Sequence, residues 1–314
     1  MITIRQYSND NIDVWNSFNS ISKSHLFMFD RKYMDYHNDR FTDHSLMFYD
    51  DDKLIALLPA SVNEDIVVSH GGLTYGGLIV DNTIKQHTVD DCIELLITYL
   101  SDKGIKKLLY KPVPHIYHKQ PCEEDLYALF LYGAHPIEVS ASTVINLSEP
   151  LKMPKGRKAQ IKRALREGVE VRQLCDFSSF KKFIDIENEV LKTRHNVQAV
   201  HSAEELYLLF ERFPQNIRLF GSLYKDEIIA GTVIFEYESV VHTQYMAAND
   251  YAREIGALDL AIYTVIEEYS KSKLWLDFGI STENGGKNLN EGLISQKEGF
   301  GGRTNIYQLW EMDL

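Results

Sequence analysis

The 314-residue sequence has few cysteines and no long apolar run, and its first residues do not indicate export. Its three cysteines, Cys92, Cys122 and Cys175, are scattered without a pair spacing, so neither a disulfide framework nor a thiolate zinc site is predicted. The apolar run 54–60 is far shorter than the roughly 20 residues that span a bilayer. The N-terminus has no apolar region followed by a cleavage site. We therefore expect no membrane span and a cytoplasmic protein.

The chain also lacks an excess of positive charge, since its formal net charge is -12 at pH 7. This charge argues against a surface that binds DNA indiscriminately. The stretch 152–172 is a basic exception, and either it binds a phosphate group or it is an exposed cationic helix face. A diphosphate, a nucleotide-linked sugar and the acceptor end of tRNA are the ligands that fit. The residues proposed for this contact are Arg157 and Lys158.

Apolar residues make up 44% of the chain and charged residues 25%, which is typical of a globular protein with a substantial core. Segments with strand character alternate with amphipathic helices, and the order of elements occurs twice. Lys53-Leu-Ile-Ala has a counterpart in Glu227-Ile-Ile-Ala, and Lys107-Leu-Leu-Tyr in Lys273-Leu-Trp-Leu. The sequence therefore predicts an α/β (α+β) fold with two similar domains, 1–150 and 151–314. Each is expected to be a mixed, mainly antiparallel sheet flanked by helices.

The first domain shows three apolar segments joined by acidic turns, 45–49, 54–62 and 66–69. This spacing predicts an antiparallel meander of three strands. The second domain has the same spacing of apolar segments and turns between residues 217 and 247. The stretch 248–256 is predicted to be a loop that leads into a helix over 256–271.

The segment from Trp275 to Gly302 is a strand followed by a polar, glycine-rich stretch and a short helix. Polar side chains at a strand end have more hydrogen-bonding capacity than a simple connection needs, which favours a functional site. An ordinary polar loop is the alternative. In the first domain the matching strand runs into Lys111-Pro-Val-Pro114 without such a polar stretch, and this contrast favours function in the second domain.

The double meander, the basic segment Arg157-Lys-Ala-Gln-Ile-Lys-Arg-Ala-Leu-Arg-Glu-Gly-Val169 and the ending Asn290-Glu-Gly-Leu-Ile-Ser-Gln-Lys-Glu-Gly-Phe-Gly-Gly302 together resemble one family. They resemble the GNAT N-acyltransferases, and the tandem arrangement is similar to the FemAB-like subgroup. The resemblance covers nearly the whole chain. It implies transfer of an acyl or aminoacyl group to an amine.

The resemblance also implies a donor site in the second domain. The GNAT pyrophosphate signature is similar to Arg253-Glu-Ile-Gly256, with Leu258 where a small residue is usual. Arg253 and Gly256 are thus expected to bind acyl-CoA or acetyl-CoA at a helix start. Fem-type enzymes that take aminoacyl groups from tRNA also lack a clean signature, so aminoacyl-tRNA is a possible partner.

Acyl transfer to an amine needs a proton acceptor and donors for the oxyanion. Asp277 and Glu291 are the candidates for holding or deprotonating the amine, with a solvated carboxylate or a helix cap as the alternative for each. Lys297 is proposed to bind a carboxylate or phosphate, or else to be an ordinary surface lysine. Tyr245 is expected either to face the donor or to belong to the core.

In the first domain, His70 and Tyr75 flank two glycine pairs and are proposed to line the acceptor site. A structural histidine is the alternative. His115, His118 and Cys122 have neither suitable spacing nor a fourth ligand, so no metal is expected.

These features predict an N-acyltransferase that takes its acyl group from acyl-CoA or a carrier thioester and acts without a covalent intermediate. The acceptor is expected to be a small-molecule or nucleotide-linked amine, such as an amino sugar or a cell-envelope precursor. One alternative is a FemAB-like, aminoacyl-tRNA-dependent peptidoglycan ligase. The other is a non-catalytic tandem-GNAT protein that binds a sugar or peptide.

Overall fold

The computed structural model describes residues 1–195 and 198–314. The chain forms two compact units, and neither is a single continuous stretch of sequence. Unit 1 comprises residues 1–140, 283–288 and 306–314. Unit 2 comprises residues 141–282 and 289–305.

The elements of the first sequence repeat are mostly short strands around one long helix. They are β1 (Ile2–Gln6), α1 (Ile12–Ile21), α2 (Arg31–Met34), β2 (Thr42–Asp43), β3 (Leu46–Asp50), β4 (Lys53–Leu58), β5 (Ser61–Asn63), β6 (Ile66–Val68), β7 (Ile79–Val80), α3 (Gln86–Asp102), β8 (Lys107–Tyr110), α4 (Glu124–Leu131) and β9 (His135–Asn146).

The second repeat has longer strands and more helix. Its elements are α5 (Lys155–Arg166), β10 (Glu170–Leu174), α6 (Phe177–His195), α7 (Ala203–Arg212), β11 (Ile217–Tyr224), β12 (Glu227–Glu236), β13 (Val240–Ala248), α8 (Asp250–Ile255), α9 (Ala257–Tyr269), β14 (Trp275–Ile280), β15 (Thr282–Glu283), β16 (Asn288–Leu289), α10 (Glu291–Glu298) and β17 (Arg303–Asp313).

Unit 1 contains a sheet of order β1-β3-β4-β7, and its other strands follow the order β17-β8-β6-β5-β2. The prediction of one three-stranded meander is wrong here. The hairpins β3–β4 and β5–β6 are both antiparallel, but they belong to different sheets. Pro59, between β4 and β5, has no N–H to continue the ladder, so the chain leaves the first sheet at this point.

Unit 2 contains the strand order β10-β11-β12-β13-β14-β9. Only the pair β13–β14 is parallel within this order. Helix α9 packs its apolar face on the sheet through Ile262, Val265 and Ile266, and full burial of such a side chain contributes about 1.5–3 kcal/mol. The predicted fold class is thus confirmed.

The last strand of each repeat pairs with a strand of the other repeat. β9 pairs antiparallel with β14, with Asp277 opposite Val144. β17 pairs antiparallel with β8, with Trp310 opposite Tyr110. For this reason each compact unit contains a strand from both repeats. The predicted division into domains 1–150 and 151–314 describes the sequence repeats and stays a proposal.

The stretch 248–256 is not the predicted loop, because it contains helix α8. The side chain of Asn249 accepts a hydrogen bond from the N–H of Ala252 and starts this helix. Gly256 ends it with a φ of 80° and at once precedes α9. A single glycine therefore separates two helices where the sequence pattern indicates an irregular connection.

Candidate functional site

The site of unit 2 is built where β13 and β14 stop pairing. Their parallel register covers only Val240 to His242 on β13, opposite Trp275 to Asp277 on β14. Beyond His242, β13 continues to Ala248, and no strand of the described residues pairs with it on that side. Its backbone N–H and C=O groups are thus available to a ligand at this edge.

A β-bulge lies on β13 at the start of this unpaired edge. Val233 of β12 pairs with Tyr245 and Ile234 pairs with Thr243, so Gln244 is an extra residue. Bulges often occur beside active sites, where they redirect a side chain or end a pairing. The strand is thereby bent where it begins to line a cleft.

This cleft has a volume of about 490 Å³ and lies within unit 2. Seven elements contribute to its wall, namely α5, α6, β13, α8, α9, β14 and α10 together with Gly256. The residues used in the argument below are Arg157, Glu187, Thr243, Gln244, Tyr245, Arg253, Gly256, Leu258, Asp259, Phe278 and Lys297.

Helix α9 begins at the cleft, and its N-cap, Gly256, provides no side-chain acceptor for the first N–H groups. Such a helix start attracts an anion, because its N–H groups and the helix dipole are positive. Gly256 also packs closely on α5, since a Cβ built there would lie 2.7 Å from the carbonyl oxygen of Gln160. Leu258 occupies part of the cleft wall.

Arg157 of α5 lines the cleft but is engaged by protein groups. Its guanidinium forms an ion pair with Asp259 in the first turn of α9. Nη2 donates to the carbonyl of Gln296 at 2.9 Å, and the group lies over the ring of Phe300. These contacts join α5, α9 and α10, so we infer that Arg157 shapes the cleft.

Asp277 on β14 is fully buried. Its Oδ1 accepts hydrogen bonds from the hydroxyl of Ser142 at 2.6 Å and from the N–H of Gly279 at 2.9 Å. Its Oδ2 lies 3.2 Å from Nδ1 of His242 on β13. The carboxyl group thus holds β9, β13 and β14 together at the point where the strands diverge.

Lys297 of α10 is buried in the cleft wall, and it is not the surface lysine of the alternative interpretation. Its Nζ donates to the carbonyls of Gly279 and Ile280 at 2.8 and 2.7 Å. Burial lowers the pKa of this ammonium to about 8, although the negative charge of Asp277 opposes the shift. The group therefore titrates close to physiological pH.

We expect the free energy of unfolding to rise between pH 8 and pH 10 through Lys297. In this range the lysine is protonated in the unfolded chain and neutral in the folded one, so the unfolded state binds more protons. The expected gain is roughly 1–3 kcal/mol. Urea unfolding of the wild type and of Lys297→Met over this pH range measures it. Lys162→Met, on an exposed face of α5, is the control that retains the slope, and an unchanged slope in Lys297→Met contradicts the expectation.

Two further predicted residues lie in the same cleft. The hydroxyl of Tyr245 is 2.6 Å from Nδ1 of His201, so this tyrosine is held in position by a hydrogen bond. Arg253 of α8 pairs with Asp250 at 2.8 Å and is partly exposed. Among the predicted residues, Arg157, Tyr245, Arg253, Gly256 and Lys297 all line this one cleft.

The other predicted residues of unit 2 lie outside the cleft lining. Glu291 is exposed at the start of α10, whose N-cap side chain is that of Asn290. Lys158 is exposed on α5. Asp277 is not among the residues that line the cleft, although its negative charge acts on Lys297. The roles predicted for Asp277 and Glu291 stay predictions.

His70 and Tyr75 belong to unit 1, and both are buried. Burial, and secondarily the nearby charges of His37, Arg31 and Lys111, lower the pKa of His70 to about 3, so its ring is neutral at physiological pH. Tyr75 donates to the hydroxyl of Tyr117 at 2.8 Å. Both side chains have structural contacts, and their role in acceptor binding remains a prediction.

The residues of the cleft that the sequence argument missed include Glu187, Gln244 and Phe278. Glu187 lies on α6, where its apolar neighbours and helical spacing gave it no distinctive pattern. Gln244 is recognisable only from the register of β13 against β12. Phe278 lies inside the segment from Trp275 to Gly302, so the polar character of this segment was the signal that could have identified it.

Within the described residues, no group of three or more His, Cys, Asp or Glu side chains is arranged to hold a metal ion. The described helices also include none that is long and apolar enough to cross a bilayer.

Residues 155–285 match the family described as the acetyltransferase (GNAT) domain. No curated protein matches the chain in sequence. Among solved structures, FemX is similar, with a TM-score of 0.70, 9% identity, and coverage of 99% of this chain and 97% of that chain. A tandem GNAT protein from the clavulanic acid biosynthesis pathway is also similar, with a TM-score of 0.55, 9% identity, and coverage of 100% of this chain and 98% of that chain.

A third similar structure is the C-terminal domain of a putative lysylphosphatidylglycerol synthetase from Agrobacterium fabrum. It gives a TM-score of 0.62 and 9% identity, with coverage of 96% of this chain and 91% of that chain. At this identity the likenesses show the fold. The family match over residues 155–285 confirms the predicted GNAT relationship and an acyltransferase, and the likenesses confirm the FemAB-like tandem fold.

Proposed function

We propose that this chain, which has a GNAT domain over residues 155–285 and a FemAB-like tandem fold, is an N-acyltransferase that uses acyl-CoA or acetyl-CoA. The acceptor is the amine of an amino sugar or of a cell-envelope precursor. The observation that carries the proposal is the cleft in which the unpaired edge of β13 meets the start of α9.

The two walls of this cleft suit different parts of a CoA thioester. The start of α9 at Gly256 favours the phosphates of the donor. N–H groups at the edge of β13 beyond its pairing with β14 suit the carbonyl oxygen, which becomes negative when an amine attacks the carbonyl carbon. Among the described residues, the lining contains neither cysteine nor serine, which supports direct attack without an acyl-enzyme intermediate.

We expect acyl-CoA to raise the melting temperature of the protein. At 100 times its dissociation constant a ligand adds about 2.7 kcal/mol, which corresponds to roughly 5 °C or more for a chain of this size. A thermal-shift panel of coenzyme A, acetyl-CoA, longer acyl-CoAs, aminoacyl-tRNA and nucleotide sugars measures the effect. Stabilisation by nucleotide sugars alone contradicts a CoA donor and favours a non-catalytic binding protein.

The basic face of α5 favours a second candidate, transfer from aminoacyl-tRNA. Lys155, Lys158, Lys162 and Arg166 are all exposed, and their spacing places them along one side of the helix. Such a row of cations in an acidic chain suits a polyanion. Stabilisation by aminoacyl-tRNA, absent for acyl-CoA, identifies this donor, and a Lys158→Glu variant then loses it.

A further inference from the structure

We infer that Glu187 of α6 is the catalytic base of the cleft, which binds the ammonium group of the acceptor and removes a proton from it. The inference rests on the proposed acyl transfer to an amine. It assigns a role to a carboxylate that the sequence argument did not identify.

Glu187 is 8% exposed, and the exposed part lies in the cleft wall. Within the described residues its carboxylate has no hydrogen-bond or ion-pair partner. The cleft contains one other carboxylate, Asp259, which Arg157 pairs. A buried carboxylate without a partner is costly unless a ligand satisfies it, and an ammonium group has the required charge and donors.

The electrostatic surroundings of Glu187 favour its role as a base. Burial alone raises the pKa of Glu187 to about 7, and no charged group of the adjacent α7, β11 or β12 contributes. The cleft's other titratable side chains are those of Arg157, Tyr245, Arg253, Asp259 and Lys297. A general base is most effective when its pKa lies near the working pH.

The proposed step conserves protons and charge. The acceptor enters as R–NH3⁺ and transfers one proton to the Glu187 carboxylate, which leaves a neutral amine. The amine lone pair forms the C–N bond at the donor carbonyl, and the C–S bond of the thioester breaks as the carbonyl re-forms. The second proton of the nitrogen goes to the leaving sulfur, and Glu187 releases its proton to water.

The direct test is a titration of Glu187 by 13C NMR of protein labelled at the glutamate carboxyl carbons. We expect one signal with a midpoint near pH 7, absent from Glu187→Gln and unchanged in Glu189→Gln, an exposed position on the same helix. Propylammonium, the probe for an acceptor amine, should shift this midpoint to lower pH because a cation stabilises the carboxylate. A midpoint near that of an exposed glutamate, or no response to propylammonium, overturns the inference.

The kinetic test uses acetyl-CoA with propylamine and follows release of the thiol. Glu187→Gln is expected to lower kcat about 100-fold or more and to remove the rise in rate through pH 7, while the thermal shift with CoA stays unchanged. Glu189→Gln should behave as the wild type. Full activity of Glu187→Gln overturns the inference. If no CoA binds, the donor proposal fails, while the NMR titration still decides the role of Glu187.

Discussion

Replacing Asp277 by alanine is expected to lower the free energy of unfolding by about 3–5 kcal/mol, because removal of one partner from a buried polar network leaves the others unpaired. The carboxylate is fully buried, and its partners are Ser142, Gly279 and His242. These residues lie on three strands, so loss of their hydrogen bonds to Asp277 affects the region where the cleft begins. Urea unfolding followed by fluorescence and circular dichroism measures the change.

Asp277→Asn is the matched control. Its amide oxygen can still accept from Ser142 and Gly279, and its amide nitrogen can donate to Nδ1 of His242. We therefore expect a loss of less than about 2 kcal/mol. Equal destabilisation by both replacements contradicts the network. Once Asp277→Asn is shown to be folded, its turnover tests the predicted catalytic role of Asp277, for which a clear rate loss is required.

Replacing Gly256 by alanine is expected to abolish donor binding. The backbone at this position has a φ of 80°, and an added Cβ would lie 2.7 Å from the carbonyl oxygen of Gln160. An alanine in this conformation costs about 1–2 kcal/mol, and the contact with Gln160 forces α8 and α9 to move. Since the start of α9 is the proposed phosphate site, the affinity for acyl-CoA should fall at least tenfold. A smaller thermal shift with acyl-CoA measures this loss.

Gly168→Ala separates backbone strain from the change at the cleft. Gly168 has a φ of 83°, and nothing lies within 4 Å of a Cβ built there. This variant should lose a similar 1–2 kcal/mol from the backbone term and keep the full response to acyl-CoA. Retained donor binding in Gly256→Ala shows that the donor does not use the start of α9.

Local patterns in the sequence predicted the local elements well. The sequence Ser202-Ala-Glu-Glu205 is typical of a capping box, and α7 begins with Ser202 and Glu205 bonded reciprocally. The amphipathic pattern of 256–271 became α9, whose apolar face lies on the sheet. These features depend on residues three or four positions apart, so local sequence patterns are sufficient to predict them.

Two segments, 54–62 and 248–256, differ from the structure that the sequence predicts. The pattern of 54–62 indicates one strand, but Pro59 and the competition between two sheets divide it. The polar composition of 248–256 indicates a loop, whereas the Asn249 cap and Gly256 make it a helix between two defined ends. In the first segment the pairing of its two halves with different sheets determined the result. In the second, the cap and the glycine lie within the segment, and the sequence argument did not use them.

The sequence by itself determined the family resemblance and most helices, and it led to the prediction of a donor site in the second half of the chain. Tertiary structure decided the exchange of β9 and β17, the divergence of β13 from β14, and the burial of Asp277 and Lys297. It also placed Glu187, without a distinctive motif, in the wall of the cleft. The physical reason is that helix periods and caps act over a few residues, whereas strand pairing, burial and the pKa shifts that follow from them join residues far apart in the chain.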